Sequence, residues 1–270
     1  MNFKSPTIEE KLGKAYTEHN VFKRLELYIS FYELLSFSIM HWITTGTTAM
    51  INIDTYAYSS IQGTLESIKM TLAKGRINDS YALLRKYYDV TIINIYTNLY
   101  LETQHSFDNF IVEDIDKWVK GTKSIPTFKV MSNFIKNEKS VSDFTKMVYK
   151  DGRYEAIRRR CNENMHYNSY AHLLLNDNEI HRLDRISNLD TFLKDLDDLF
   201  IQHFMFIFSI KGHYMMSSDY TDYRDMGMEP PDDSQYWVSP FIQKVFDEVV
   251  KKNRKDLAEL LKQNTEMVLE

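Results

Sequence analysis

The sequence predicts an all-α protein, a multi-helix bundle with long core helices and a basic insertion of shorter ones. Three observations predict it. Apolar residues recur at intervals of three and four along most of the 270-residue chain, the spacing of one helical face. No stretch sustains the period-two alternation of strands bounded by hairpin turns. Only 8 Gly and 5 Pro are present, too few for a turn-rich all-β fold. The 43% apolar and 26% charged residues are those of a globular protein, and 18 Tyr, 16 Phe and 3 Trp supply core volume.

Each element has its own signal. Thr7 with Glu10 fits a capping box, and Leu25, Ile29, Tyr32, Leu35 and Ile39 then mark a long amphipathic helix. A second helix is expected over 54–74 with Gly75 as its stop. Asn78 or Asp79 can cap a third. Its Leu83, Leu84, Tyr87, Tyr88, Ile92, Ile93, Ile95, Tyr96 and Leu99 leave little polar face, so it belongs at the centre. Shorter helices are expected over 108–120, 127–136 and 141–150, with breaks at 121–126 and 137–140. Asp151-Gly152 opens a helix carrying Arg158-Arg159-Arg160-Cys161. Leu193, Leu196, Phe200, Phe204 and Phe208 mark a long core helix over 189–214. An acidic loop over 219–235, with Pro230-Pro231, precedes a final helix capped by Ser239 and carrying Phe241, Val245, Val249, Leu257 and Leu261. The expected organisation is one helical domain over 1–270, with a sub-boundary near 121–126.

Net charge is −5, but the charge is segregated. Between Lys117 and Arg160 stand twelve Lys and Arg against four acids, whereas Asp219–Asp233 holds six acids and one base. The basic stretch is a candidate polyanion-facing surface. Cys161 is the lone cysteine, so neither an internal disulfide nor a CxxC motif can form. The N-terminus lacks the apolar core of a secretory signal, and no apolar run is long and unbroken enough to span a bilayer, which gives the expectation of a cytoplasmic protein without a membrane segment.

Most chemical motifs are missing. The glycines are too far apart for a P-loop or a GxGxxG fingerprint, and HExxH, EF-hand and GxSxG patterns do not occur, so no cofactor and no metal is expected. His166 and His172, six residues apart on a helix, point in different directions. Asp195, Asp198 and His203 read as a solvated edge beside a packed histidine, and His41, next to Trp42, as an interior histidine.

One segment stands apart, Arg158 to Asn168, which packs guanidinium groups, amides and an imidazole into eleven residues. Metal-free RNA cleavage needs a group to manage the 2′-hydroxyl and leaving-group protons and a cation to stabilise the phosphorane-like transition state. Histidine suits the first task and arginine the second. Asn162 can orient either group or a phosphate oxygen.

With five residues between Arg160 and His166, this segment resembles the Rx4-6H motif of the HEPN superfamily, all-helical domains of prokaryotic RNases, toxins and phage-defence proteins. The commoner family form has a polar residue, often Asn, directly after the arginine; here Cys161 holds that place and Asn162 follows. Arg159 also satisfies the spacing. At 100° per residue it lies within roughly 20° of His166, against roughly 120° for Arg160. Arg160 ranks first because family helices often distort or end near the histidine; Arg159 stays beside it. The resemblance implies a HEPN-like fold and a metal-independent endoribonuclease of toxin or antiviral-defence type, with Arg160, His166, Arg159 and Asn162 at the catalytic centre. RNA contacts are then expected from Arg158, Lys150, Arg153, Tyr167 and Asn168. It further implies a homodimer with a composite cleft, and leaves room for an antitoxin or defence-system partner. The alternative is a non-catalytic helical protein that binds RNA or a regulatory partner. Arg85 and Asp89, i,i+4 neighbours on an otherwise apolar helix, read as an ion pair, or as a second phosphate contact if Arg85 meets the Arg-His site. The aromatic load, including Tyr87, Tyr88, Tyr96, Tyr100, Tyr167 and Tyr170, can in part serve a protomer interface or base stacking, with most of these residues expected in the core.

Overall fold

The computed structural model describes residues 6–40, 52–106 and 111–270. In chain order the helices are α1 (Ile8–Leu12), α2 (Lys14–Thr17), α3 (Asn20–Met40), α4 (Ile53–Ala73), α5 (Ile77–Gln104), α6 (Glu113–Val119), α7 (Phe128–Asn137) and α8 (Ser142–Val148). There follow α9 (Arg153–Met165), α10 (Tyr170–Leu174), α11 (Arg185–Ile210), α12 (Asp219–Asp225), α13 (Pro240–Val245), α14 (Lys251–Asn253) and α15 (Lys255–Gln263). Among the described residues there is no strand, only the isolated bridges Met216 to Val238 and Trp237 to Val268. The fold is all-α, and no described helix is long and apolar enough to cross a membrane.

Packing divides the chain into two units. The first takes residues up to Tyr32, Ser59–Val90 and Asp151–Phe200; the second takes Glu33–Tyr58, Thr91–Lys150 and Ile201–Glu270. The segments 121–126 and 219–235 both fall in the second.

In the first unit, Tyr28 of α3 stacks on Phe200 of α11 with ring centroids 3.7 Å apart, and Phe31 meets the same ring edge-on. Such offset and edge-on pairs add to the burial of their area. Tyr32 and Tyr87 bridge α3 to α5 through their hydroxyls at 3.1 Å. The capping box forms as read, with Thr7 accepting from the Glu10 N–H and Glu10 from the Thr7 N–H. It starts only the five-residue α1, because Gly13 at φ +77° breaks the path and the long helix starts afresh at Asn20.

Gly75 ends α4 as expected, and the geometry explains why. At φ +72° it lets its own N–H reach Leu72 O at 2.8 Å and the Arg76 N–H reach Thr71 O at 3.0 Å, the paired bonds of a Schellman motif. The start of α5 differs from the reading. Asn78 and Asp79 do not cap it; their N–H groups donate to Asn176 Oδ1 at 3.1 and 3.3 Å, and the Ile77 N–H to Leu175 O at 3.3 Å. The cap comes from a residue nearly a hundred positions away, which local spacing cannot reveal. The buried Arg185 closes the same corner, donating to Gly75 O at 2.5 Å and Leu174 O at 2.9 Å.

In the second unit, α11 contributes the buried Phe204, Phe206 and Phe208, and Phe204 stacks near Phe246 at 6.4 Å. Phe134 of α7 meets Tyr96 of α5 edge-on at 5.3 Å. Two expectations are corrected here. The acidic stretch is not all loop, since Asp219–Asp225 is helical as α12. The final helix is not continuous: a π-helical segment, Phe246–Val250, follows α13, and Arg254 leaves helical geometry at φ −143°. The nearly buried Arg254 donates twice to Asp256 at 2.9 Å and once to Met147 O at 3.0 Å, and these bonds hold the break.

Candidate nucleic-acid site on α9

The arginine-rich segment is helical from Arg153 to Met165, and His166 is its C-cap residue. Tyr154, Ile157, Cys161 and Asn164 form the buried stripe, at intervals of three and four. Cys161 therefore occupies a core position, which is why an apolar thiol follows Arg160; burial pushes that thiol up to about 12. A cysteine so placed is inert near neutral pH.

The polar residues divide by face. On one flank Arg160 grips the fully buried Asp195 of α11 with two hydrogen bonds, Nε to Oδ2 at 2.8 Å and Nη2 to Oδ1. Hydrogen bonding to this carboxylate holds the guanidinium protonated, while burial lifts the Asp195 carboxyl above its usual range against the pull of Arg160. Arg153, nearer the start of α9, donates to Asp151 at 2.8 Å and to Asp198 at 2.6 Å. On the other flank Arg85 of α5 donates to Asn162 Oδ1 at 2.7 Å and to Asp89 at 3.2 Å, and Arg158 reaches the same Asp89 oxygen at 3.0 Å. Desolvation and then the neighbouring Arg85 lower the Arg158 pKa. The Arg85–Asp89 pair is present as read, and Arg85 also meets the motif helix through Asn162. At the base of α9, Asn78 donates to Asn164 O at 2.8 Å and Oδ1 at 3.2 Å.

The remaining face is open. Arg159, 71% exposed at its side chain, lies 3.9 Å from Glu163, and His166 is exposed. With α9 helical through Met165, the 100° step puts Arg159 and His166 within roughly 20° on one side, roughly 10 Å apart along the axis. Of the two candidate arginines, Arg159 shares the face of His166 and Arg160 is turned to α11. After His166, the Asn168 N–H reaches Glu163 O at 3.1 Å and the Tyr167 N–H reaches Asn164 O at 3.2 Å. This is a second Schellman motif, with Tyr167 at φ +49° where glycine is the usual residue. Tyr167 and Asn168 are exposed.

Lys150 belongs to the second unit, where it pairs with Asp256 at 2.7 Å. Several of its lysine neighbours are likewise engaged: Lys117 with Glu113 at 2.5 Å, Lys120 with Asp116 at 2.7 Å and Lys123 with Asp114 at 2.6 Å. These acids stand just ahead of the stretch that carries the basic surplus. An open pocket of about 230 Å³, lined by Pro6, Ile8, Lys11, Lys74, Arg76 and Asn178, contains none of the α9 residues.

His203 and its surroundings form a polar node that sequence reasoning treated only as packing. Asp54 accepts from Asn94 at 2.7 Å, Asn98 at 2.6 Å and Tyr214 at 2.9 Å. His203 Nε2 lies 2.9 Å from Asn94 Oδ1; an amide oxygen can only accept, so that nitrogen carries the proton. Complete burial pushes the His203 pKa down to about 3. The available signal was Asn94 and Asn98, four apart within the apolar run of α5. His41 and Trp42 lie outside the described residues. Among the described residues no three His, Cys, Asp or Glu side chains gather so as to hold a metal ion.

No family model matches this chain, and neither a curated protein nor a solved structure does.

Proposed function

We propose that this protein is a metal-independent endoribonuclease of the HEPN-like, toxin or antiviral-defence type, working through the open face of α9. The observation that carries the reading is the joint exposure of Arg159 and His166 on one side of a helix whose other sides are fixed by Asp195, Asp89 and Arg85. A rigid helix with an exposed guanidinium and an exposed imidazole meets the two needs of RNA cleavage. The 2′-hydroxyl oxygen attacks phosphorus and the 5′-oxygen departs, leaving a 2′,3′-cyclic phosphate and a 5′-hydroxyl. His166 takes the 2′-hydroxyl proton or gives one to the leaving oxygen, and Arg159 neutralises the charge on the phosphoryl oxygens. Arg85, Arg158, Arg160 and Asn162 act as positioning residues in this reading. A second protomer supplying the complementary proton transfer is part of the same proposal.

Glu163 favours the second reading, RNA or partner binding without cleavage, because it lies 3.9 Å from Arg159 and offsets part of that charge. Incubation of the full chain with single-stranded RNA in EDTA separates the two. Cleavage giving cyclic-phosphate ends, reduced at least 100-fold in His166→Ala at unchanged helicity, is the expected result. RNA bound in a salt-sensitive way but left intact selects the second reading.

A further inference from the structure

We propose that Tyr167 and Tyr170 form a base-stacking platform beside His166, so that the substrate is RNA with unpaired bases; this rests on the reading of α9 as an RNA-cleaving face. Of the six tyrosines singled out in the sequence, Tyr87, Tyr88 and Tyr96 are buried in the core, and Tyr100 stacks on Tyr96 at 5.4 Å. Only Tyr167 and Tyr170 are exposed, at 43% and 74%, and they follow His166 within four positions.

The backbone at Tyr167 adds a second, independent observation. Tyr167 holds the left-handed C′ position of a Schellman motif, which glycine occupies at the end of α4 in the same unit. An L side chain is disfavoured there, as at Ile180 and Asp233, and such local strain clusters at functional sites. The left-handed turn follows His166 directly and leads through Asn168 and Ser169 to Tyr170, the first residue of α10.

Chemistry selects the occupant. The exposed rings share a short stretch of chain with the exposed imidazole of His166 and the exposed amide of Asn168, and exposed aromatic faces close to phosphate-binding groups are the recognition set of single-stranded nucleic acid. A continuous protein-binding surface is expected to be apolar at its centre, whereas Asn168 and Ser169 interrupt this one. Paired RNA hides its base faces within the helical stack, so rings of this kind engage only splayed bases.

The test uses the full-length protein at low salt with a short unstructured oligoribonucleotide, 2′-O-methylated to prevent cleavage, its duplex and an abasic counterpart. The single strand is expected to bind most tightly. Tyr170→Ala should weaken that binding roughly 5- to 150-fold, and Tyr170→Phe should retain it. The abasic strand should bind weakly and respond to neither substitution. Equal affinity for base-bearing and abasic strands, unchanged affinity in Tyr170→Ala, or a preference for duplex overturns the platform. So does a fall in the protein's sedimenting mass in Tyr170→Ala, which makes the patch a protein interface. Cleavage measured in parallel keeps the two proposals apart. Cleavage that depends on His166 without stacking removes only the platform, and stacking without such cleavage removes only the nuclease.

Discussion

Two polar clusters are set among the aromatic helices of this protein, and they differ in how they treat water. Around Asp54, in the second unit, one carboxylate is met by two amides and a phenol, with a neutral imidazole behind them, and Asp54, Asn94, Asn98 and His203 are all buried. Around α9, in the first unit, charged arginines bind charged carboxylates, and the cluster opens outward: the Arg160 side chain is 35% exposed although its partner Asp195 is only 1% exposed. A sealed cluster of neutral donors fixes helix register and has nowhere to admit a ligand. An open lattice of guanidinium groups holds a helix in place while leaving one face to solvent, and that makes α9 the functional candidate.

Removing the central carboxylate from each cluster should separate them most clearly. Asp54→Ala strands two buried amides and a phenol, at a cost of about 3–5 kcal/mol in urea unfolding. Asp195→Ala should cost less, about 1–3 kcal/mol, because Arg160 has a route to water. Equal losses would mean that the α9 lattice is as closed as the Asp54 node, and would weaken the case for α9 as a binding face.

The fold was more legible in the sequence than the site. Three- and four-residue spacing located the long helices, and Gly75 marked a true helix end, because periodicity and left-handed glycines are local properties. The charge balance of the basic stretch was only partly legible. Counting from Lys117 leaves out Glu113, Asp114 and Asp116, which neutralise three of its lysines from the preceding turns. The roughly 20° separation of Arg159 and His166 followed from helix geometry alone. The capture of Arg160 by Asp195 did not, since that contact joins residues 35 apart. Asn176 capping α5 is invisible to local spacing for the same reason.

The sealed cluster also carries a pH signature. The unfolded imidazole of His203 takes up its proton near 6.5 and the folded one only at about 3. Between those values unfolding is accompanied by proton uptake, so stability falls as pH falls, by up to about 1.4 kcal/mol per unit. Asp197 in the first unit works in the opposite sense. Burial raises it to about 6, so its folded form binds a proton before its unfolded form does. Comparing wild type with His203→Gln isolates the histidine: the slope of unfolding free energy against pH between 6.5 and 5 should lose close to one proton. An unchanged slope would show that water reaches His203 and that the node is not sealed.

The smallest expected effect has the most to say about the open side. Gly75 and Tyr167 hold the same position in two helix-ending motifs, at φ +72° and +49°. Replacing Tyr167 by glycine relieves the left-handed strain, less the entropy that glycine adds to the unfolded chain. The expected balance is a gain of about 0.5–1 kcal/mol, read as a small rise in Tm. If the ring serves RNA, Tyr167→Gly should bind unpaired RNA more weakly while folding more stably, the opposed pattern of a residue kept for function rather than for the fold. Lower stability in Tyr167→Gly would instead mean that the tyrosine ring packs to the benefit of the fold, and its conformation would then need no functional explanation.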